Sequence, residues 1–236
     1  MKKGDIRKQK ILDTAEMLFC RNGYEQTSIQ DILNQLHCSK GSFYHHFISK
    51  ETLLEEICKK RAKQIYDTVS SLSVSSSAGI PERLNTVLSG MIPLRDEKLS
   101  FLLMLLPIFR LPEGRSVRIT YCDALSAQFI PVVSHLLSLG HHSEELICHE
   151  PDLTAGLILS VVNRLWITIC TLILSSEDNS LETDLSELIR LTDCYSLAIE
   201  RIISVPYGSL KLIDIPSLCS LSEQIHSHWK SRKYQI

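Results

Sequence analysis

An all-α fold is what this sequence predicts, and three observations carry the prediction. Only nine of its 236 residues are glycine. Leucine and isoleucine are abundant, and apolar residues recur at a 3.6-residue period in one segment after another. The length suits one large or two modest domains. The expected division is a small three-helix domain over residues 1–50 and a larger helical domain over 51–236.

A first helix is expected from about Asp5 to Asn22, with Ile11, Leu12, Ala15, Leu18 and Phe19 on one face and Gly23 closing it. Thr27 followed by Gln30 reads as a capping box for a second helix, whose apolar side is Ile29, Ile32, Leu33 and Leu36. His37 must then turn the chain, and histidine tolerates the left-handed conformation better than a branched residue does. Ser39 is a fresh N-cap, and Lys40 to Phe47 is expected as a third helix of about two turns. Phe43 and Phe47, at i and i+4, point inward. The other face carries Lys40, Ser42, Tyr44, His45 and His46, none of them acidic. Such a helix is suited to lie against an anionic surface, and the pair forms a helix-turn-helix whose second helix enters the DNA major groove.

Ser49 caps a longer helix with Leu53, Leu54, Ile57, Ile65 and Val69 in line, which links the two parts of the chain. The serine-rich stretch from Ser70 to Gly79 reads as a loop. Pro81 starts a helix burying Leu84, Val87, Leu88 and Met91. Leu99 to Phe109 is a buried core helix, too short to span a bilayer. Val117, Tyr121, Ala124, Leu125, Gln128, Val132 and Leu136 share one face of a helix expected to kink near Pro131. Leu153 to Leu174 has the length of a membrane span. Asn163 and Arg164 at its centre argue instead for a soluble protein's core helix, covered on nearly every side. Thr183 to Ser204 follows, with Leu185, Leu188, Ile189, Tyr195, Ile199, Ile202 and Ile203. A last amphipathic helix is expected, with Ser220 and Glu223 as capping box and Leu218, Leu221, Ile225 and Trp229 as its stripe.

The net charge of −2 is unevenly spread. Residues 1–50 hold eight Lys/Arg against five Asp/Glu, and the rest hold 17 against 22. A basic amino-terminal fifth on an acidic body suits a protein that touches DNA at one end only. The eight cysteines stand singly with no CxxC, so buried free thiols in a reducing cytosol are expected rather than disulfides. Met1 to Lys10 is charged and no apolar stretch follows, so no signal peptide is expected. The expected location is cytoplasmic.

From Arg7 to Leu54 the sequence resembles the TetR family of bacterial transcriptional regulators. The resemblance rests on Ile11, Ala15 and Phe19, on Gly23-Tyr24, and on Thr27-Ser28-Ile29 with Asp31-Ile32. It continues through Ser39-Lys40-Gly41-Ser42-Phe43-Tyr44-His45-His46-Phe47 and Lys50-Glu51 with Leu53-Leu54. A run of this length and order is far more specific than one short motif. Leu36-His37 stands where such proteins usually carry a small Ala-Gly pair, and Leu33 where an alanine is common. The resemblance implies a homodimer on a pseudo-palindromic double-stranded operator, its last two long helices forming a four-helix interface. It also implies a body that binds an unidentified small-molecule effector, most often releasing a repressor. A body that docks a protein partner, or a thiol that senses oxidation, stays open as an alternative.

The DNA contacts expected are Thr27, Ser28, Ser39, Lys40, Gly41, Ser42, Tyr44, His45 and Lys50. The helix starts at Thr27 and Lys40 aim N–H groups at phosphates, and Gly41 lets the backbone approach closely. Lys40 and Ser42 sit where base edges are reached, while Tyr44, His45 and Lys50 suit phosphates. His46 faces either the DNA or the first helix. Met91, Phe101, Met104, Phe109, Tyr121, Asn163 and Trp166 either line an effector pocket or are plain core. Asn163 and Arg164 need partners if buried, and Arg110 and Arg118 either pair an anionic ligand or lie on the surface. His141, His142, Cys148, His149 and Glu150 are metal-ligand types, but their spacing matches no standard site, so no metal and no cofactor is expected. His226 and His228, two apart on a helix, are expected at the surface. No nucleophile elbow, phosphate-cradling loop or HExxH occurs, so no enzyme is predicted.

Overall fold

A computed structural model describes residues 3–74, 78–92, 96–109, 111, 114–175 and 181–213, with positions 216, 219, 220 and 223. Helices, and no strands, appear among the described residues. They are α1 (Lys3–Asn22), α2 (Ile29–Leu36), α3 (Lys40–Tyr44), α4 (Lys50–Val74), α5 (Ile80–Met91), α6 (Asp96–Ile108), α7 (Gly114–His142), α8 (Pro151–Ser175) and α9 (Leu181–Ile203). The chain forms two compact units, Met1–Lys63 with Glu97–Ala124, and Gln64–Asp96 with Leu125–Ile236.

In the first unit the predicted apolar faces are the core. Ile11, Ala15, Phe19, Ile32, Phe43, Leu53, Leu54 and Ile57 are fully buried. Gly23 closes α1 at a φ of 90°, a value open to glycine without strain. Its N–H donates to the Phe19 carbonyl at 2.9 Å. Charge then ties α1 to α4. Glu16, 5% exposed, accepts from Arg61 and from Lys60 Nζ at 2.8 Å, and Lys60 also bridges to Asp13 at 2.6 Å. The Arg61 guanidinium stands 5.2 Å from the centre of the Phe101 ring of α6, a cation over an aromatic face.

Most element boundaries shift by a few residues from those expected, and three of the differences bear on the turn, the third helix and the helix that follows it. The second helix is capped by Ser28, not Thr27, and its capping-box partner is Asp31, not Gln30. The third helix ends at Tyr44 rather than Phe47, although the Phe47 N–H still donates to the Phe43 carbonyl at 3.0 Å. The expected loop at Ser70 begins later, because α4 continues to Val74. There Ser70 and Ser71 bond back to the carbonyls of Asp67 and Thr68, which lets hydroxyls stay within a helix.

In the second unit Leu84, Val87 and Leu88 of α5 are fully buried, and Pro81 lies in its first turn. Gly79 offers α5 no side-chain cap. Glu145 supplies one instead, accepting the Ile80 N–H at 2.8 Å. Gly90 has no room for a side chain, since a Cβ would stand 2.5 Å from Val69 Cγ2. α8 and α9 pack on each other, and Ile158, Leu159, Leu165, Ile169 and Ile199 are buried. α7 and α8 are long and apolar enough to cross a membrane by length and composition, but each has a buried face here. α8 is not covered on every side, for Leu153 and Leu157 are 70% and 60% exposed. Helical backbone recurs at Pro216, Cys219, Ser220 and Glu223. Arg110, Leu218, Leu221, Ile225, His226, His228 and Trp229 lie outside the described residues.

Candidate nucleic-acid interface

The turn between α2 and α3 is built on His37. Its φ of 49° and ψ of 48° are left-handed, as the sequence required. The His37 N–H donates to the Asn34 carbonyl and the Cys38 N–H to the Leu33 carbonyl, the paired bonds of a Schellman motif. This stop satisfies the carbonyls that end α2 and sends the chain directly into Ser39. The Ser39 hydroxyl then accepts the Ser42 N–H at 3.3 Å, opening α3.

α3 is anchored by two rings. Phe43 and Phe47 are buried with centroids 5.7 Å apart. The opposite side is free of acid, and Ser39, Lys40, Gly41, Tyr44 and His45 are exposed there, with Ser42 and His46 half-buried. The His45 and His46 rings meet edge to face at 4.9 Å. Burial, then the positive neighbours His45, Lys8 and Arg7, holds His46 below its ordinary 6.5. Lys40, Ser42, Tyr44, His45 and His46 carry side chains of the types that pair with phosphates and base edges.

Two of the expected contacts are held by hydrogen bonds within the unit. Thr27 is fully buried, and its hydroxyl donates to the Gly23 carbonyl at 2.8 Å and approaches that of Leu18 at 3.3 Å. It locks the α1–α2 turn and cannot present its side chain to a duplex. Lys50 is also spent internally. Its Nζ donates to the carbonyls of Tyr24 at 2.8 Å and Thr27 at 3.1 Å, 4.1 Å from the Tyr24 ring centre. Desolvation holds its pKa below the usual lysine value. Ser28 is exposed, but its hydroxyl donates to Asp31 at 2.6 Å and accepts the Asp31 N–H. The Asp31 carboxylate therefore occupies the start of α2, where a phosphate was expected.

Reasoning from sequence missed Arg7. Its Nε donates to Ser42 Oγ at 3.2 Å, from α1 to α3.

The residues expected at an effector pocket fall in both units. In the first, Phe101 and Tyr121 meet edge to face at 6.0 Å, Met104 is buried and Phe109 half-buried. In the second, Met91 and Trp166 are buried, and Asn163 donates to Ser126 Oγ at 2.9 Å. The Trp166 indole N–H is buried without a hydrogen-bond partner among the described residues. Arg164 is exposed. Of the possible metal ligands, His141 and His149 meet edge to face at 5.2 Å, and His142 bonds the Ser138 carbonyl. Among the described residues no group of three or more His, Cys, Asp or Glu side chains is gathered to hold a metal ion. Burial pushes the Cys122 thiol up to about 11 and raises Cys20 and Cys58 as well. Protonated thiols are poor nucleophiles, so oxidation sensing gains no support at these three.

The family profile described as "Bacterial regulatory proteins, tetR family" matches residues 11–57. The uncharacterized HTH-type transcriptional regulator YerO of Bacillus subtilis is 25% identical over 160 residues, 66% of this chain and 55% of that protein. The HTH-type transcriptional repressor KstR2 of Mycolicibacterium smegmatis is 35% identical over 72 residues, 28% of this chain and 35% of that one. The chain thus spans about half or less of these curated relatives. A TetR-family transcriptional regulator from Pectobacterium atrosepticum has the same fold, with a TM-score of 0.64 at 18% identity, covering 86% of this chain and 97% of that one.

Proposed function

Because the chain belongs to the TetR family of bacterial transcriptional regulators, we propose that it is a cytoplasmic, sequence-specific DNA-binding repressor. It acts as a homodimer on a pseudo-palindromic operator and leaves it when a small-molecule effector binds the body. The observation that carries this reading is the α3 surface: buried rings behind, and in front an acid-free row that includes Lys40, Ser42, Tyr44 and His45.

Two copies of α3 about 34–36 Å apart enter successive major grooves on one face of a duplex. The body sets that distance, through a dimer surface on α8 and α9. Leu153 and Leu157 of α8 and Ile202 of α9 are large apolar residues left exposed in the single chain, which is what a second copy covers. An effector weakens DNA binding by preferring the dimer with the other spacing. α4, which contributes residues to both units, carries the change. Within the body the Trp166 N–H is the donor we assign to the effector, since a buried donor gains most from an acceptor.

The test is titration of the purified protein against duplex from its own upstream region, at low and physiological salt. Specific binding that outlasts competition by unrelated DNA is expected; salt-labile binding to any duplex alike contradicts the proposal.

A further inference from the structure

The start of α1 lies against the recognition helix through one bond, Arg7 Nε to Ser42 Oγ at 3.2 Å, between residues 35 positions apart. Both residues are half-buried, so the pair is neither a solvent-exposed accident nor sealed from a ligand. The neighbouring Lys8 comes within 5.8 Å of the Phe47 ring centre, but its charge is engaged by Glu56 at 2.7 Å.

A serine hydroxyl is ordinarily ambiguous, because it donates one hydrogen and accepts through two lone pairs. That ambiguity makes serine a poor discriminator of base edges, able to pair with donors and acceptors alike. A guanidinium only donates. With Arg7 in place the Ser42 oxygen is an acceptor toward α1, and its own hydrogen must point elsewhere. In the major groove the acceptors are guanine O6 and N7, adenine N7 and thymine O4, while cytosine N4 and adenine N6 are donors. With one lone pair taken by Arg7, the Ser42 hydroxyl keeps one hydrogen and one lone pair for the groove, and their directions are set by the bond to α1.

We propose that Arg7 is a positioning residue for sequence readout, which holds the Ser42 hydroxyl in one orientation and so sets which base edge it meets at the position beneath it. The inference rests on the DNA-binding reading above. A guanidinium has five N–H groups, so the bond to Ser42 leaves capacity for a phosphate at the same place.

The experiment starts from duplexes enriched by the wild-type protein from a randomised pool. Affinities of wild type, Arg7→Met, Arg7→Lys, Ser42→Ala and Arg7→Met/Ser42→Ala are compared on single-base variants of the enriched half-site. Arg7→Met is expected to lose roughly tenfold in discrimination, only at the position where Ser42→Ala also loses it. It should add nothing in the Ser42→Ala background, and Arg7→Lys, which can still donate, should recover part of the loss. Thermal melting checks that each variant is folded, and Arg7→Leu replaces Arg7→Met if the latter melts early. A uniform loss of affinity with unchanged discrimination makes Arg7 a phosphate contact and overturns the inference alone. A further loss of discrimination in the Ser42→Ala background overturns it too. Failure of the wild type to enrich any sequence overturns the DNA-binding reading and the inference together.

Discussion

Replacing Thr27 by valine separates a folding role from a DNA-contacting one. Valine keeps the shape of threonine and removes its hydroxyl, which here reaches from a fully buried side chain to donate to the carbonyl of the half-buried Gly23 at 2.8 Å. The substitution deletes a net hydrogen bond of about 1 kcal/mol and leaves a half-buried carbonyl short of a donor, at a further cost of about 1 kcal/mol. The Leu18 carbonyl, 3.3 Å away, loses only its longer contact. A total near 2 kcal/mol lowers the melting temperature by roughly 4–8 °C in a chain of this size. Circular dichroism melts give the stability, and fluorescence anisotropy well below the transition gives the DNA affinity of the folded protein. The melt should fall while the affinity stays within about twofold of wild type, because no DNA contact is removed. A Thr27→Val protein that melts like wild type but binds tenfold more weakly would refute the assignment and return Thr27 to the interface.

Other perturbations test other joints. Gly90→Ala drives a Cβ to 2.5 Å from Val69 Cγ2, and overpacking of this kind costs about 1–3 kcal/mol in urea unfolding. Adding Val69→Ala should recover part of that, and no recovery would place the strain elsewhere. Hydrogen bonds from Ser28, Ser49 and Lys59 hold Asp31, Glu51 and Glu56 respectively below their ordinary carboxylate values. Folded values below unfolded ones mean stability that is complete above the ordinary 3.8 and 4.5 and is lost as pH falls through the depressed values. Melts should therefore drop below about pH 4.5 in wild type and less steeply in Asp31→Asn; equal slopes contradict the linkage. Leu157→Glu puts a charge on the exposed apolar side of α8 and should shift sedimentation from dimer to monomer with an unchanged far-ultraviolet spectrum. An unaltered dimer would show that the copies meet through another surface.

How much of this was legible in the sequence depends on whether a residue's neighbours are local. Phe43 and Phe47 announce their burial by spacing alone. His37 announces a left-handed turn because a helix ends there with no glycine to end it. The cap of α2 is a harder case, since Thr27-x-x-Gln30 and Ser28-x-x-Asp31 both fit the pattern for a helix start. What separates them is the carbonyl of Gly23, which captures the Thr27 hydroxyl once α1 has folded beside it. Lys50 looked like a phosphate ligand for the same reason, because its acceptors at Tyr24 and Thr27 lie more than 20 residues back. Arg7 reads as one more charge on an amphipathic helix until α3 is set against it. The cap on α5 from Glu145 is invisible for the same reason, coming from 65 residues away.

The central claim is that α3 is one half of a two-fold DNA reader. Selection of a randomised duplex pool by the purified full-length chain, followed by sequencing, tests it most directly. The account predicts an enriched inverted repeat with half-site centres about 10 base pairs apart, or a multiple of that. Enrichment of no sequence, or of a lone half-site bound by one chain, would contradict it.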